Sequence, residues 1–302
     1  MSGIESVKDL IKPPFANYDI VVYFGCGLFS LPFMMHYTGS LRVKATSFNF
    51  GIEPPFVSTL VTTLTVLFSV YILGHIIAYI GSQFIEKLMD SFFGKASTII
   101  LLGSKVRQGS LNPMIREQLR KGVTKNFTKS TWLSGLVRCL SHLPAFPSYL
   151  LIFAAGAFGF YRTRVSDEVI KVANEKVVNL SAQNAHIKSD TQWFKPLEAI
   201  VMNNNPGATA RMYNYLVISG LFRSICTILL ASLWFEFVYL LSKAWGLDAP
   251  EGLLMLGNKT LFYQFVSYAA LSTVYVFSLF SYLKFQRRYV EDAIFAFVFT
   301  KG

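Results

Sequence analysis

Acidic residues are scarce in this chain. Asp and Glu total 17 in 302 residues, and all charged residues together make up 15%. An ordinary soluble domain carries about 25%. A water-soluble reading would therefore need several very hydrophobic core helices in one modest domain. Cysteine is scarcer still, at three residues. Cys26, Cys139 and Cys226 form no C-x-x-C pair and no metal-type spacing, so no disulfide framework or thiolate metal site is implied. Cys26 and Cys226 lie within apolar runs and read as small packing residues. The four histidines, His36, His75, His142 and His186, are scattered. That excludes the many-histidine clusters of membrane di-iron enzymes and the H-E-x-x-H zinc motif. Also missing are a Walker A loop, G-x-S-x-G, a dinucleotide fingerprint and a D-x-x-x-D pair in an apolar run. The expectation is a protein with no familiar catalytic residues, no cofactor and no metal, and so not an enzyme of known type.

Apolar residues, by contrast, are abundant, at 53%, and aromatics reach 16%, with 28 Phe and 15 Tyr. Phe suits a lipid-facing surface, and Tyr suits the boundary between lipid and water. The stretches 19–37, 57–81, 216–242 and 260–283 are each long enough to cross a bilayer. A crossing needs roughly 20 apolar residues in a helix. The first run follows Lys8 and Lys12, as a secretory signal would. No small-x-small cleavage site follows it; Met34, Met35, His36 and Tyr37 stand there instead. It reads as a retained signal anchor. Pro32 within it predicts a kink.

The net charge of +11 is concentrated. Residues 82–215 hold 17 Lys and Arg against eight Asp and Glu. Positive residues resist translocation, so this middle is expected on the cytoplasmic side. Attraction to anionic lipid headgroups acts in the same direction, and nucleic acid is not needed to explain the charge. Within the middle, Gln83, Glu86, Lys87 and Asp90 carry the second helix beyond its apolar run, and Asn112-Pro113 opens another helix. Val165, Val169, Val172, Ala173, Val177 and Leu180 predict an amphipathic helix over 165–190. The cluster Asn203-Asn204-Asn205-Pro206-Gly207 predicts a turn.

One more apolar stretch, 144–161, leaves two topologies open. If it crosses, five spans put 14 Lys and Arg inside and 13 outside, which is no bias. If it does not, the counts become 23 inside and four outside, with Arg223 in a span. The positive-inside rule prefers the second arrangement. Residues 131–161 then form a re-entrant or interfacial hairpin around Pro144-Ala-Phe-Pro147; the alternative is a fifth span.

The candidate functional residues are polar groups inside apolar runs. Thr62, Thr65 and Ser69 follow Ser58 at helical spacing. They would line a hydrated pathway or pack closely against a neighbouring helix. His75, late in the second run, is a candidate for proton relay, ligand contact or a structural hydrogen bond. Arg223 stands about seven residues into the third run, where it would snorkel to headgroups or pair near Glu86 or His75. Glu236 is deeper in the same run, and a carboxylate there should face the bundle interior or a cavity. It would serve conduction or interhelical bonding.

Three stretches together resemble uncharacterised bacterial integral membrane proteins with two N-terminal spans, a basic middle and two C-terminal spans. They are Gly74-His75-Ile-Ile-Ala-Tyr-Ile-Gly-Ser82 with Glu86, Arg211-Met-Tyr-Asn-Tyr215 through Phe222-Arg223-Ser224, and Arg287-Arg288-Tyr289-Val-Glu291. The resemblance implies a bacterial inner membrane and no particular activity.

The expected architecture is all-α. It is a polytopic transmembrane helical bundle with four spans, a re-entrant or fifth apolar segment, and a helical cytoplasmic region. Its parts are an N-terminal hairpin over 1–81, the basic region 82–215 and a C-terminal hairpin over 216–302, whose tail at 289–299 lies in the interface. Both termini are expected in the cytoplasm. The expected partners are the lipid bilayer with its anionic headgroups, further copies of the chain, and a soluble cytoplasmic protein. The expected function is a self-associating channel-like component or membrane-acting effector with a cytoplasmic sensing region. The alternatives are a scaffold that anchors a soluble partner and a lipid-directed enzyme or transporter subunit.

Overall fold

The computed structural model of the chain describes residues 18–40, 55–92, 95–102, 132–157, 165–183, 194–246 and 261–299. These residues are helical, with no strand among them. A π-helical turn, Asp19–Phe24, leads into α1, Gly25–Ser40. Helix α2, Pro55–Gly81, continues through a second π turn, Ser82–Glu86, into α3, Lys87–Phe92. Helix α4 is Ala96–Leu102 and α5 is Trp132–Ser141. A short 3-10 turn, Leu143–Ala145, precedes α6, Phe146–Ala157. The remainder comprises α7, Asp167–Gln183; α8, Phe194–Asn204; α9, Pro206–Ala244; and α10, Leu261–Phe299. The helix expected at Asn112-Pro113 and the segment around His186 lie outside the described residues.

Four helical stretches are long and apolar enough to cross a membrane: Asp19–Tyr37, Phe56–Asp90, Pro206–Ala244 and Phe262–Phe299. At 39 residues, α9 and α10 are each roughly 58 Å long, about twice the hydrocarbon thickness of a bilayer. The apolar runs 216–242 and 260–283 occupy one part of each helix, leaving 206–215 and 284–299 as polar-rich extensions. Chain contacts divide accordingly into two compact units. The first holds the chain up to Ile85 with His142–Phe153 and Gly220–Leu279. The second holds Glu86–Ser141, Ala154–Ser219 and the chain from Phe280 onward.

The second unit has an apolar core of its own. Its core gathers Ile100 from α4, Ile170 and Ala173 from α7, Leu197 and Val201 from α8, Ala208 and Met212 from α9, and Ile294 and Phe297 from α10. Apolar burial is the dominant favourable term for such a core. Asn205 caps α9: its Oδ1 accepts the Ala208 N–H at 3.0 Å, and Pro206 takes the first helical position, where no N–H is missed. The predicted turn at Asn203–Gly207 is thus a helix-to-helix junction. At the far end Lys176 donates to the Phe297 carbonyl at 3.0 Å and lies 5.2 Å over its ring, closing α10 with a cation. The 289–299 tail, expected at the interface, packs within the second unit. It continues α10 without a break, and Val290, Ala293, Ile294 and Phe297 are buried in the second unit's core.

The first unit is organised differently. Lipid tails are as apolar as Leu, so helices in a membrane gain little from hiding apolar faces. Its outward surface carries Phe56, Leu60, Leu64, Phe68, Ile72 and Ile76 of α2, all exposed. Its interior holds eleven of the fourteen buried polar residues among the described ones. Close backbone approach holds the helices where small residues allow it. Gly27 lies against the Val70 carbonyl and Gly74 against the Tyr23 carbonyl.

Candidate intramembrane polar site

Glu236 is fully buried on α9, 0% exposed. The Tyr37 hydroxyl, from the end of the first span, donates to Glu236 Oε1 at 3.3 Å. Phe235 stacks on the Tyr37 ring at 4.4 Å and 14°, and Tyr239 and Phe33 complete an aromatic collar. The spacing of Phe235, Glu236 and Tyr239 puts them on one side of the helix, facing the first span. The bulky rings keep lipid and water away from the carboxylate. The Tyr37 hydroxyl supplies a hydrogen bond that a buried acid needs.

His75 lies elsewhere in the same unit. Its ring stacks on Tyr23 at 3.6 Å and 21°, and meets the Tyr71 edge at 4.6 Å. The residue is exposed on the outward side of α2. The missing side chain at Gly74 explains the stack, because it lets the Tyr23 backbone approach α2 directly. Arg223 is half-buried, and its stem crosses the site where Gly81 has no side chain, with Cγ 3.4 Å from the place a Cβ would take. It is within electrostatic reach of Tyr23, as is Asp19.

The hydroxyl stripe on α2 does not enter the bundle interior. Thr65 and Ser69 are exposed and Thr62 is half-buried. Each hydroxyl bonds a carbonyl one turn back on its own helix: Thr62 to Ser58 at 2.8 Å, Thr65 to Val61 at 2.8 Å, and Ser69 to Thr65 at 2.7 Å. Such back-bonding satisfies a hydroxyl in lipid with no partner helix. The structure therefore brings Glu236 together with Tyr37, and His75 together with Tyr23. It leaves Thr62, Thr65 and Ser69 apart from both groups.

A third buried polar group escapes the sequence reasoning. Tyr149 of α6 lies 2.6 Å from His142 Nδ1 and 2.9 Å from the Tyr275 hydroxyl. Tyr275 is itself 3.5 Å from the same nitrogen. All three residues are buried, Tyr275 completely. The Tyr149 hydroxyl and Nδ1 share one hydrogen bond, and the Phe84 backbone also interacts with the imidazole. One signal was present in the sequence. Tyr268, Tyr275 and Tyr282 recur every seven residues through the fourth span, so they share one helix face.

The chemistry of these groups is limited but definite. Glu236 offers a carboxylate in a dry, aromatic setting. The His142 triangle offers two hydroxyls and an imidazole with all its mutual bonds made. Among the described residues no cluster of three or more His, Cys, Asp or Glu could hold a metal.

No known family, characterised protein or solved structure matches this chain. Function must be argued from these residues alone.

Proposed function

We propose that this chain is a self-associating, channel-like component of a bacterial inner membrane, with the basic middle and both termini in the cytoplasm. Glu236 carries the reading. A carboxylate buried in a bilayer-length apolar helix is costly. Such a group is retained where it binds, conducts or pairs, and here its hydrogen-bond donor is another span. One feature supports association. Helix α2 exposes Phe56, Leu60, Leu64, Phe68, Ile72 and Ile76, a face open to lipid or to a further copy. The lopsided distribution of Lys and Arg supports the orientation. The second unit, with a core of its own, is suited to sensing a ligand or protein at one end of α9 and α10.

The test is ion flux into proteoliposomes. The proposal expects flux from the wild type and at least a tenfold loss with Glu236→Gln, in a variant that still elutes as the same species in detergent. Absence of wild-type flux at any lipid composition would reject a channel. Co-purification of a stoichiometric soluble protein in that case would favour the scaffold reading, for which the independent core of the second unit is the supporting observation.

A further inference from the structure

We infer that Glu236 and Gln264 face one buried site between α9 and α10, and that this site holds a single alkali-metal cation. The inference deepens the channel reading by naming what Glu236 holds, and it is tested by binding, without flux.

The first argument is register. Helices α9 and α10 are each unbroken, and two contacts fix how they lie along one another. Arg211 pairs with Asp292 at 3.0 Å, and Cys226 lies within electrostatic reach of Tyr275. As α9 advances α10 recedes, so the two helices run antiparallel. Glu236 stands ten residues beyond Cys226, and Gln264 stands eleven residues before Tyr275. Those steps are roughly 15 Å and 16.5 Å in the same direction, so the two side chains arise at one level. Their faces agree as well. Eleven residues are about three helical turns, which puts Gln264 on the Tyr275 side of α10, toward α9. Glu236 is within about a quarter turn of Cys226, between the face that meets α10 and the face that meets Tyr37.

The second argument is an unmet need. Gln264 is 1% exposed, and neither its Oε1 nor its Nε2 has a hydrogen-bond partner. An amide buried with nothing to bond is costly, the more so where no water bathes the helix. The side chain is therefore retained for something that enters. A proton on Glu236 would neutralise the acid and leave the amide as bare as before. A small alkali ion that keeps part of its water answers both groups. Gln264 Oε1 gives the ion a lone pair, and the ion's water accepts from Nε2.

The third argument is the class of ion. Carboxylate, carboxamide and hydroxyl oxygens are hard ligands and suit hard cations. Ser232, buried one turn before Glu236, adds a third oxygen. Its hydroxyl donates to the Ile228 carbonyl at 3.0 Å, which leaves its lone pairs for the Tyr37 hydroxyl or a cation. Glu236 is the one acidic residue in the runs 216–242 and 260–283, and Arg223 stands thirteen residues away, roughly 20 Å along the helix. One negative charge balances one positive charge. A divalent ion would leave net charge buried, which is the costlier state.

The experiment is thermal unfolding of the full chain in detergent, with sodium or potassium chloride against choline chloride at equal ionic strength. The expected result is a saturable rise in the melting point with an alkali ion and none with choline. Gln264→Leu keeps the bulk and removes the amide. It should weaken half-saturation by about tenfold or more, the shift expected when a charged group loses one polar partner. In choline it should melt at or above the wild type, because the bare amide is gone. Equal melting in all three salts means that no alkali ion is held, and overturns the inference. So does a rise that survives Gln264→Leu unchanged, or one given by calcium chloride and by neither alkali salt. If Gln264→Leu does not fold, Gln264→Asn replaces it. Its amide is shorter by one methylene and should change the ranking of sodium and potassium; an unchanged ranking rejects Gln264 as a ligand. Ion binding without flux into proteoliposomes keeps the site and rejects the channel, and flux without ion binding does the reverse.

Discussion

The contact between the first two spans can be tested with single methyl groups. A Cβ at Gly74 would stand 1.7 Å from the Tyr23 carbonyl oxygen, and one at Gly27 would stand 1.9 Å from that of Val70. Real Cβ atoms essentially never come closer than 3.0 Å. The obstacle is main chain in both cases, so no rotamer change relieves it and the helices must part by about 1 Å or more. Overpacking of this kind costs about 1–3 kcal/mol. Replacing Gly by Ala within a helix returns up to about 1 kcal/mol through propensity. The clash outweighs that gain, because displacing two backbones also loosens the His75 stack on Tyr23 next to it. Net destabilisation of about 1–2 kcal/mol is expected for Gly74→Ala, and a similar loss for Gly27→Ala. Gly25 is the internal control. Its nearest neighbour would be 3.5 Å away, an ordinary contact, so Gly25→Ala should be neutral or slightly stabilising. Thermal unfolding in detergent, followed by size-exclusion recovery, compares the three. If Gly74→Ala melts together with Gly25→Ala, the close approach of these spans is wrong. The double variant Gly27→Ala/Gly74→Ala should lose less than the sum of the singles, because the first methyl already separates the helices.

Further predictions concern the two units separately. Tyr37→Phe deprives Glu236 of its donor and should lower stability by about 1–3 kcal/mol, while the same change made on Glu236→Gln should cost less; a strictly additive thermal-melt cycle would show that the two side chains do not interact. Asn205→Ala removes the α9 cap and should cost about 1 kcal/mol, with faster amide exchange at Ala208, and unchanged exchange there would rule out the cap. Lys176→Met should raise amide exchange over the last turn of α10, whereas Arg211→Ala, breaking an exposed 3.0 Å pair with Asp292, should shift the melt by under about 0.5 kcal/mol; a larger effect from Arg211 than from Lys176 would reverse this ranking.

The long elements were legible because their signal is one-dimensional. A predominantly apolar run of bilayer length at 57–81 or 216–242 has few alternatives, and the cluster Asn203–Gly207 announces a turn by its own composition. The extent of α9 and α10 beyond the lipid was harder to read. Residues 284–299 mix Arg287, Arg288, Glu291 and Asp292 with apolar neighbours, a pattern that fits an interface or a soluble core equally well until the helices that cover it are known. Glu236 could be placed inward from the cost of exposing a carboxylate to lipid. Its donor could not, because Tyr37 lies 199 residues away. The hydroxyls of α2 marked a helix face without saying what covers it. The spacing is the same whether a hydroxyl lines water, packs on a neighbour or bonds its own backbone, as Thr62, Thr65 and Ser69 do. His142 was hidden for a similar reason. A single histidine in a chain of scattered ones gains meaning only when Tyr149 and Tyr275 converge on it.

Helix α10 contains neither glycine nor proline from Leu261 to Phe299. It has no built-in joint at which a bend would be absorbed before reaching the other end. Any joint in this helix would have to be introduced by substitution, because none of its own residues supplies one.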